Sequence, residues 1–80
     1  MLSELKTRRK LVGIKQIRKA LKENTVETIF LAADADPALT GPLASQAERE
    51  QSPRVSVPTM KELGAACGID VAASAAAILK

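Results

Sequence analysis

The sequence predicts an α/β sandwich, on three observations. Two β-branched apolar runs, "VETIFLAA" and "SPRVSVP", are separated by a stretch with helical character. A helix-start signal directly follows each run, at "DADP" and at "TMKE". An amphipathic helix precedes the first run. Strands that alternate with helices fold as a sheet covered by helices, and 80 residues suffice for one small domain but not two.

Each element has its own local reason. Residues 3–10 read as a short helix with Ser3 as N-cap. Gly13 interrupts, and a second helix runs from Ile14 to Glu23, with Asn24 as its stop. "VETIFLAA" reads as a buried strand. Asp36 then caps a helix whose first residue is Pro37, where proline's missing N–H costs nothing. That helix is expected to continue toward Gln51 despite Gly41 and Pro42. "SPRVSVP" is a short strand fenced by prolines. "TMKE" is a capping box, in which Thr59 takes the N–H of Glu62 and Glu62 reaches back to Thr59. The helix it opens ends at Gly68. The tail "VAASAAAILK" stays open on the residues alone: alanine prefers helix, while the α/β alternation places a strand there.

Composition narrows the function. Phe30 is the sole aromatic residue, so binding single strands by stacking bases on aromatic rings is disfavoured. There is no histidine or tyrosine, and the one cysteine, Cys67, has no base to activate it. An enzyme is therefore not expected, nor a catalytic residue, a metal site, a cofactor or a small-molecule substrate. No apolar leader opens the chain, and the longest apolar run, Val71 to Leu79, is too short for a membrane span. A reduced, cytoplasmic monomer without membrane contact is expected.

Charge is unevenly distributed. Residues 1–25 hold eight bases against two acids, a balance of +6, and the remainder holds four against seven, or −3. A positive pole attracts phosphates. Within it, "VGIKQIRKALKEN" raises a specific conflict. On a helical wheel of roughly 100° per residue, Ile14, Ile17 and Leu21 share one side, and Lys15, Gln16 and Lys19 the other. Lys15 and Lys19 are like charges at i,i+4, which is unfavourable on a bare helix. Lys15 also sits at the helix start, where the dipole disfavours cations. An anion resolves this: free N–H groups bind phosphate, lysine adds charged donors, and Gly13 permits close approach. Gln16 offers a donor and an acceptor together, which suits a base edge. The plainer alternative is a solvated basic face.

Three blocks in register, "GIKQIRKAL", "LAADADPALT" and "TMKELGAACGIDVAASAAAIL", resemble the L-seven-Ae ribosomal-protein family, and within it the small bacterial YbxF-like members. The resemblance covers about residues 5–79. It implies a three-layer α-β-α sandwich around a four-stranded mixed sheet, and so a strand for the tail. It also implies one kink-turn RNA-binding domain over residues 1–80. A kink-turn is a sharp RNA bend built on tandem sheared G·A pairs beside a short bulge. By position, Gly13, Ile14, Lys15, Gln16 and Lys19 match the residues that face the sheared guanines, whose O6 and N7 accept hydrogen bonds. Ile69, Asp70 and Val71 match a loop that covers a nucleotide flipped from the bulge. The implied partner is kink-turn RNA, ribosomal or from a riboswitch, and the implied setting includes the ribosome.

The chain departs from the family pattern in two places. Ile14 stands where many members have threonine, and Ile17 where another polar residue is frequent. Lys15–Gln16 replaces the Asn–Glu pair of archaeal members, so binding should lean more on charge. A protein–protein adaptor on the same fold is the alternative function, with Ile14 its best support. Among the remaining candidates, Asp34 and Asp36 read as a turn residue and an N-cap rather than a catalytic pair. Cys67 reads as an inert thiol, and Met60 and Leu63 as core. Gly64 and Gly68 fit no phosphate-loop spacing. Ile69 and Val71, in a short turn after a helix, either plug the core or pack on a ligand.

Overall fold

The computed structural model describes Leu5 and residues 8–80. In chain order the elements are β1 (Lys10–Val12), α1 (Ile14–Lys22), β2 (Val26–Ala32), α2 (Pro37–Arg49), β3 (Arg54–Val57), α3 (Met60–Ala66) and β4 (Ala75–Leu79). The Ser3 cap lies outside the described residues. Leu5 is helical, but the expected helix does not reach residue 10, because Lys10 opens β1. Pairing decides this: β1 lies antiparallel to β4, with Leu11 opposite Ala77. Leu11 and Val12 then pack into opposite halves of the core, as a strand's two-residue period requires.

The four strands form one mixed sheet in the order β1-β4-β2-β3. β4 is antiparallel to both of its neighbours, and β2 is parallel to β3. Both faces are covered. α1 and α2 bury Ile17, Leu21, Leu43 and Ala47 on Ile29, Ala75 and Ala77. On the other face, Leu5 and the α3 residue Leu63 close over Phe30, Ala76 and Ile78, with Cys67 beside them. Adjacent strand residues thus serve different halves, which is the expected three-layer sandwich.

The ambiguous tail is a strand. Alanine's helical advantage is below about 0.7 kcal/mol per residue against ordinary residues. β4 instead gains a hydrogen-bond ladder on each side, and Ala75, Ala76 and Ala77 are wholly buried between the layers. Small side chains let helices approach both faces of this central strand.

Helices α1, α2 and α3 stop in the same way, at a C′ residue with positive φ. Asn24 and Gln51 have φ of 58°, and Gly68 has 79°. The next residue returns a hydrogen bond to the third carbonyl from the helix end, as from Thr25 to Ala20, Ser52 to Ala47 and Ile69 to Gly64. α2 therefore closes at Arg49, two residues short of the expected Gln51.

The topology also gathers one end of the molecule. β1, β2 and β3 run in one direction and β4 in the other. The starts of α1, α2 and α3 and the loop leading into β4 therefore share one end of the sheet.

Candidate nucleic-acid interface

The three helix starts at that end are finished differently. At α2, Asp36 Oδ1 accepts from Ala38 N at 2.9 Å. At α3, Thr59 Oγ1 accepts from Glu62 N at 3.0 Å, and Asp34 Oδ1 accepts from Met60 N at 2.7 Å. The second partner in that expected capping box is thus Asp34, reaching across from the β2–α2 turn, rather than Glu62 reaching back. Both aspartates have structural work, which removes them as a catalytic pair. α1 has no side-chain cap and no acidic residue in its first turn. The N–H groups of Ile14, Lys15 and Gln16 meet no backbone or side-chain acceptor among the described residues. Those donors, at the positive end of the helix dipole, face outward.

Gly13 holds this start in place. Its N–H donates to Ala75 O at 3.3 Å, and its carbonyl accepts from Ile17 N at 3.2 Å. Its φ of 118° is a conformation that favours glycine. A Cβ there would meet nothing within 4 Å, so glycine serves the backbone angle and leaves open space in front of the helix.

The helix period sorts the neighbouring side chains. Ile17 is fully buried and Ile14 is half-buried against the same half of the core. The two isoleucines that depart from the family pattern therefore lie on the packing side. Lys15, Gln16 and Lys19 are exposed, and none is held in an ion pair or side-chain hydrogen bond with a described residue. Gln16, Lys19 and Glu23 line a groove of about 330 Å³ with Arg9 and Leu11 on the β1 side and with Thr25 and Leu79. Arg9 and Leu11 were not among the expected site residues. Reading residues 3–10 as helix concealed the strand that brings them beside α1.

The second predicted segment, Ile69–Val71, leads into β4. Because Gly13 N–H bonds to Ala75 O, the first residue of β4, the α1 start and this loop adjoin at the same sheet end. The loop is pinned where Ala73 N donates to Met60 O at 3.0 Å and Ala32 N to Ser74 O at 3.0 Å. The two apolar residues differ. Ile69 is half-buried against the core, so it is at least partly the plug, whereas Val71 is 68% exposed. Asp70 is exposed beside it. A residue outside the expected set fixes the loop's height: a Cβ on Gly64 would lie 2.1 Å from the Val71 carbonyl oxygen. Helix α3 and the loop touch backbone to backbone there, for which a helical glycine within "KELGAACG" was the only sequence signal.

Cys67 is in the core, and its burial raises the thiol pKa above the ordinary value. That leaves it protonated and inert. Among the described residues, no helix is long and apolar enough to cross a membrane.

Known proteins share this fold and much of this sequence. An "RNA-binding protein" of Bacillus pumilus is 46% identical over 69 residues, spanning 86% of this chain and 84% of its own. The "RNA-binding protein YbxF" of Geobacillus stearothermophilus is 39% identical over 70 residues, covering 88% of this chain and 85% of its own. Among solved structures, the Giardia lamblia 15.5kD RNA binding protein superposes with a TM-score of 0.89 at 27% identity, over 99% of this chain and 70% of the other. A Bacillus halodurans protein of unknown function superposes with a TM-score of 0.88 at 25% identity, over 99% of this chain and 83% of that one. Residues 2–80 match the sequence model of the ribosomal protein L7Ae/L30e/S12e/Gadd45 family, and the chain belongs to that family.

Proposed function

We propose that residues 1–80 form a single, non-enzymatic RNA-binding domain that recognises kink-turns, working as a cytoplasmic monomer within a ribonucleoprotein such as the ribosome. One observation carries the reading. Among the described residues, the only helix start at this end without a side-chain cap bears Lys15, Gln16 and Lys19, and the Gly13–Ala75 backbone hydrogen bond ties it to the start of β4, into which the loop exposing Val71 leads. Relatives described as RNA-binding proteins support the class of partner. Free backbone donors take phosphate oxygens, while Lys15, Gln16 and Lys19 reach guanine O6 and N7. A regular RNA helix hides that edge in a deep groove, whereas a kinked segment with sheared G·A pairs presents it. Val71 then covers an unstacked base, and Asp70 accepts from its edge or its ribose.

The test is a binding titration against a kink-turn hairpin and a control whose G·A pairs are replaced by Watson–Crick pairs. The hairpin should bind far more tightly, and Lys15→Ala or Gln16→Ala should each cost about 1–3 kcal/mol on the hairpin alone. Equal wild-type affinity for the two RNAs would refute the kink-turn reading and favour the adaptor.

A further inference from the structure

The basic surface does not stop at the residues that face the guanines. A second groove, of about 290 Å³, lies between α1 and α2 and is lined by Arg18, Lys19, Lys22 and Gln46. Gln46 Nε2 donates to Arg18 O at 3.1 Å, which fixes α2 against this part of α1. Among the described residues, no carboxylate lines the groove. None of its three cations is in an ion pair with a described residue. Lys19 lines both this groove and the one containing Gln16, so the two adjoin at Lys19 on either flank of the exposed face of α1.

The charge pattern is costly for an isolated helix. On the exposed face of α1, Lys15–Lys19 and Arg18–Lys22 are like-charged at i,i+4, and Lys15–Arg18 and Lys19–Lys22 at i,i+3. Each such pair is unfavourable by about 0.2–0.5 kcal/mol. The helix dipole favours cations only in the last turn, here Lys19 and Lys22. It gives no reason for Arg18 to stand four residues before Lys22. A polyanion laid along the helix would relieve all four repulsions at once.

We propose that the α1–α2 groove is a phosphate tract, in which Arg18 and Lys22 hold the backbone of an RNA stem flanking the segment read by Lys15 and Gln16. The inference rests on the RNA-binding reading of the α1 start, since meeting that site at Lys19 is what selects RNA over another polyanion. Reading and gripping are then separate: bases are discriminated at the helix start, and affinity is added along its length without regard to sequence.

The experiment uses the full chain, the same hairpin and control, and two further hairpins with either stem shortened to a few base pairs. For Arg18→Ala/Lys22→Ala, the slope of log K against log salt should fall in magnitude by about 2, with affinity down about tenfold at moderate salt. The ratio of affinities for hairpin and control should stay at its wild-type value. Shortening one of the two stems should abolish the variant's penalty. The melting temperature should be unchanged or raised, since like charges are removed. An unchanged salt slope overturns the proposal, as does a penalty that survives shortening of either stem or a loss of discrimination in the variant. A wild-type protein that fails to discriminate the kink-turn, yet whose salt slope still depends on Arg18 and Lys22, refutes the kink-turn reading and leaves the tract standing. If wild-type protein binds poly-glutamate as tightly as the hairpin, and the variant loses only the peptide, the groove takes acidic protein and the proposal falls.

Discussion

Gly64→Ala tests whether the loop that presents Val71 is positioned from beneath by α3. The added methyl would lie 2.1 Å from Val71 O, 3.0 Å from Val71 C and 3.2 Å from Ala72 Cα, where ordinary contact begins at 3.4 Å. The Val71 carbonyl must therefore retreat by about 1.3 Å, the difference between 3.4 and 2.1 Å. It is backbone, so no side-chain rotation relieves the clash. The loop cannot lift as a unit either, because Ile69 N bonds Gly64 O at 3.1 Å on one side and Ala73 N bonds Met60 O at 3.0 Å on the other. Two effects oppose each other. Alanine is better than glycine within a helix by about 0.8–1.0 kcal/mol, while overpacking costs about 1–3 kcal/mol. The clash should win by about 1 kcal/mol, lowering Tm by about 4–8 °C for a domain of this size. Binding should suffer beyond the loss of folded protein. On the proposed reading, Val71 would move off the unstacked base and forfeit much of the roughly 1.5 kcal/mol that burying a valine supplies. Thermal melts and a kink-turn titration at a temperature where both proteins are folded give the two numbers. A variant about 1 kcal/mol more stable than wild type, binding RNA equally well, would show that the loop does not rest on α3 and would refute the reasoning.

Four other substitutions test the remaining assignments. Val71→Ser should change stability by less than about 0.5 kcal/mol and weaken kink-turn binding, whereas Ile69→Ser should lower Tm clearly; equal melting losses would place both residues in the core. Asp34→Ala should cost about 1 kcal/mol by stripping the acceptor from Met60 N–H, and urea titration should show the midpoint shift without a change in RNA discrimination. The hydrogen bonds that the Arg8 guanidinium gives to Glu27, and then its positive charge, hold that carboxyl below its ordinary value of 4.5. A lowered folded-state pKa means the pair stabilises the fold above the unfolded value and loses this as pH falls through the folded one. Wild type should therefore exceed Glu27→Gln in Tm at neutral pH by a small margin that closes below pH 4.5 and shrinks in high salt; a margin that grows on acidification would contradict the assignment.

How much could be read from the sequence followed the range of each signal. Caps and helix stops are local chemistry, and Asp36, Thr59 and Asn24 act where the sequence placed them. β1 was missed because three residues hold too few side chains to show a period, and "KLV" is a strand only because β4, more than sixty residues later, pairs with it. The alanine tail was undecided for the same reason: its conformation is set by two neighbouring strands and two covering layers rather than by propensity. At the site, the residue types were legible and their surroundings were not. Lys15, Gln16 and Lys19 could be assigned to one face of α1 by helical periodicity. No periodicity could show that Ile69 turns inward while Val71 turns outward, since loop residues follow no repeat. Ile14 and Ile17 illustrate the same division. As substitutions within a binding motif they suggest lost contacts. In the fold they lie beneath the helix, where apolar side chains anchor α1 to the sheet. A firmly seated α1 is what a row of like charges needs, because the packing beneath must outweigh the repulsion above. On the proposed reading, recognition falls to the residues facing away from the core, and the two isoleucines bear on it by holding α1 still.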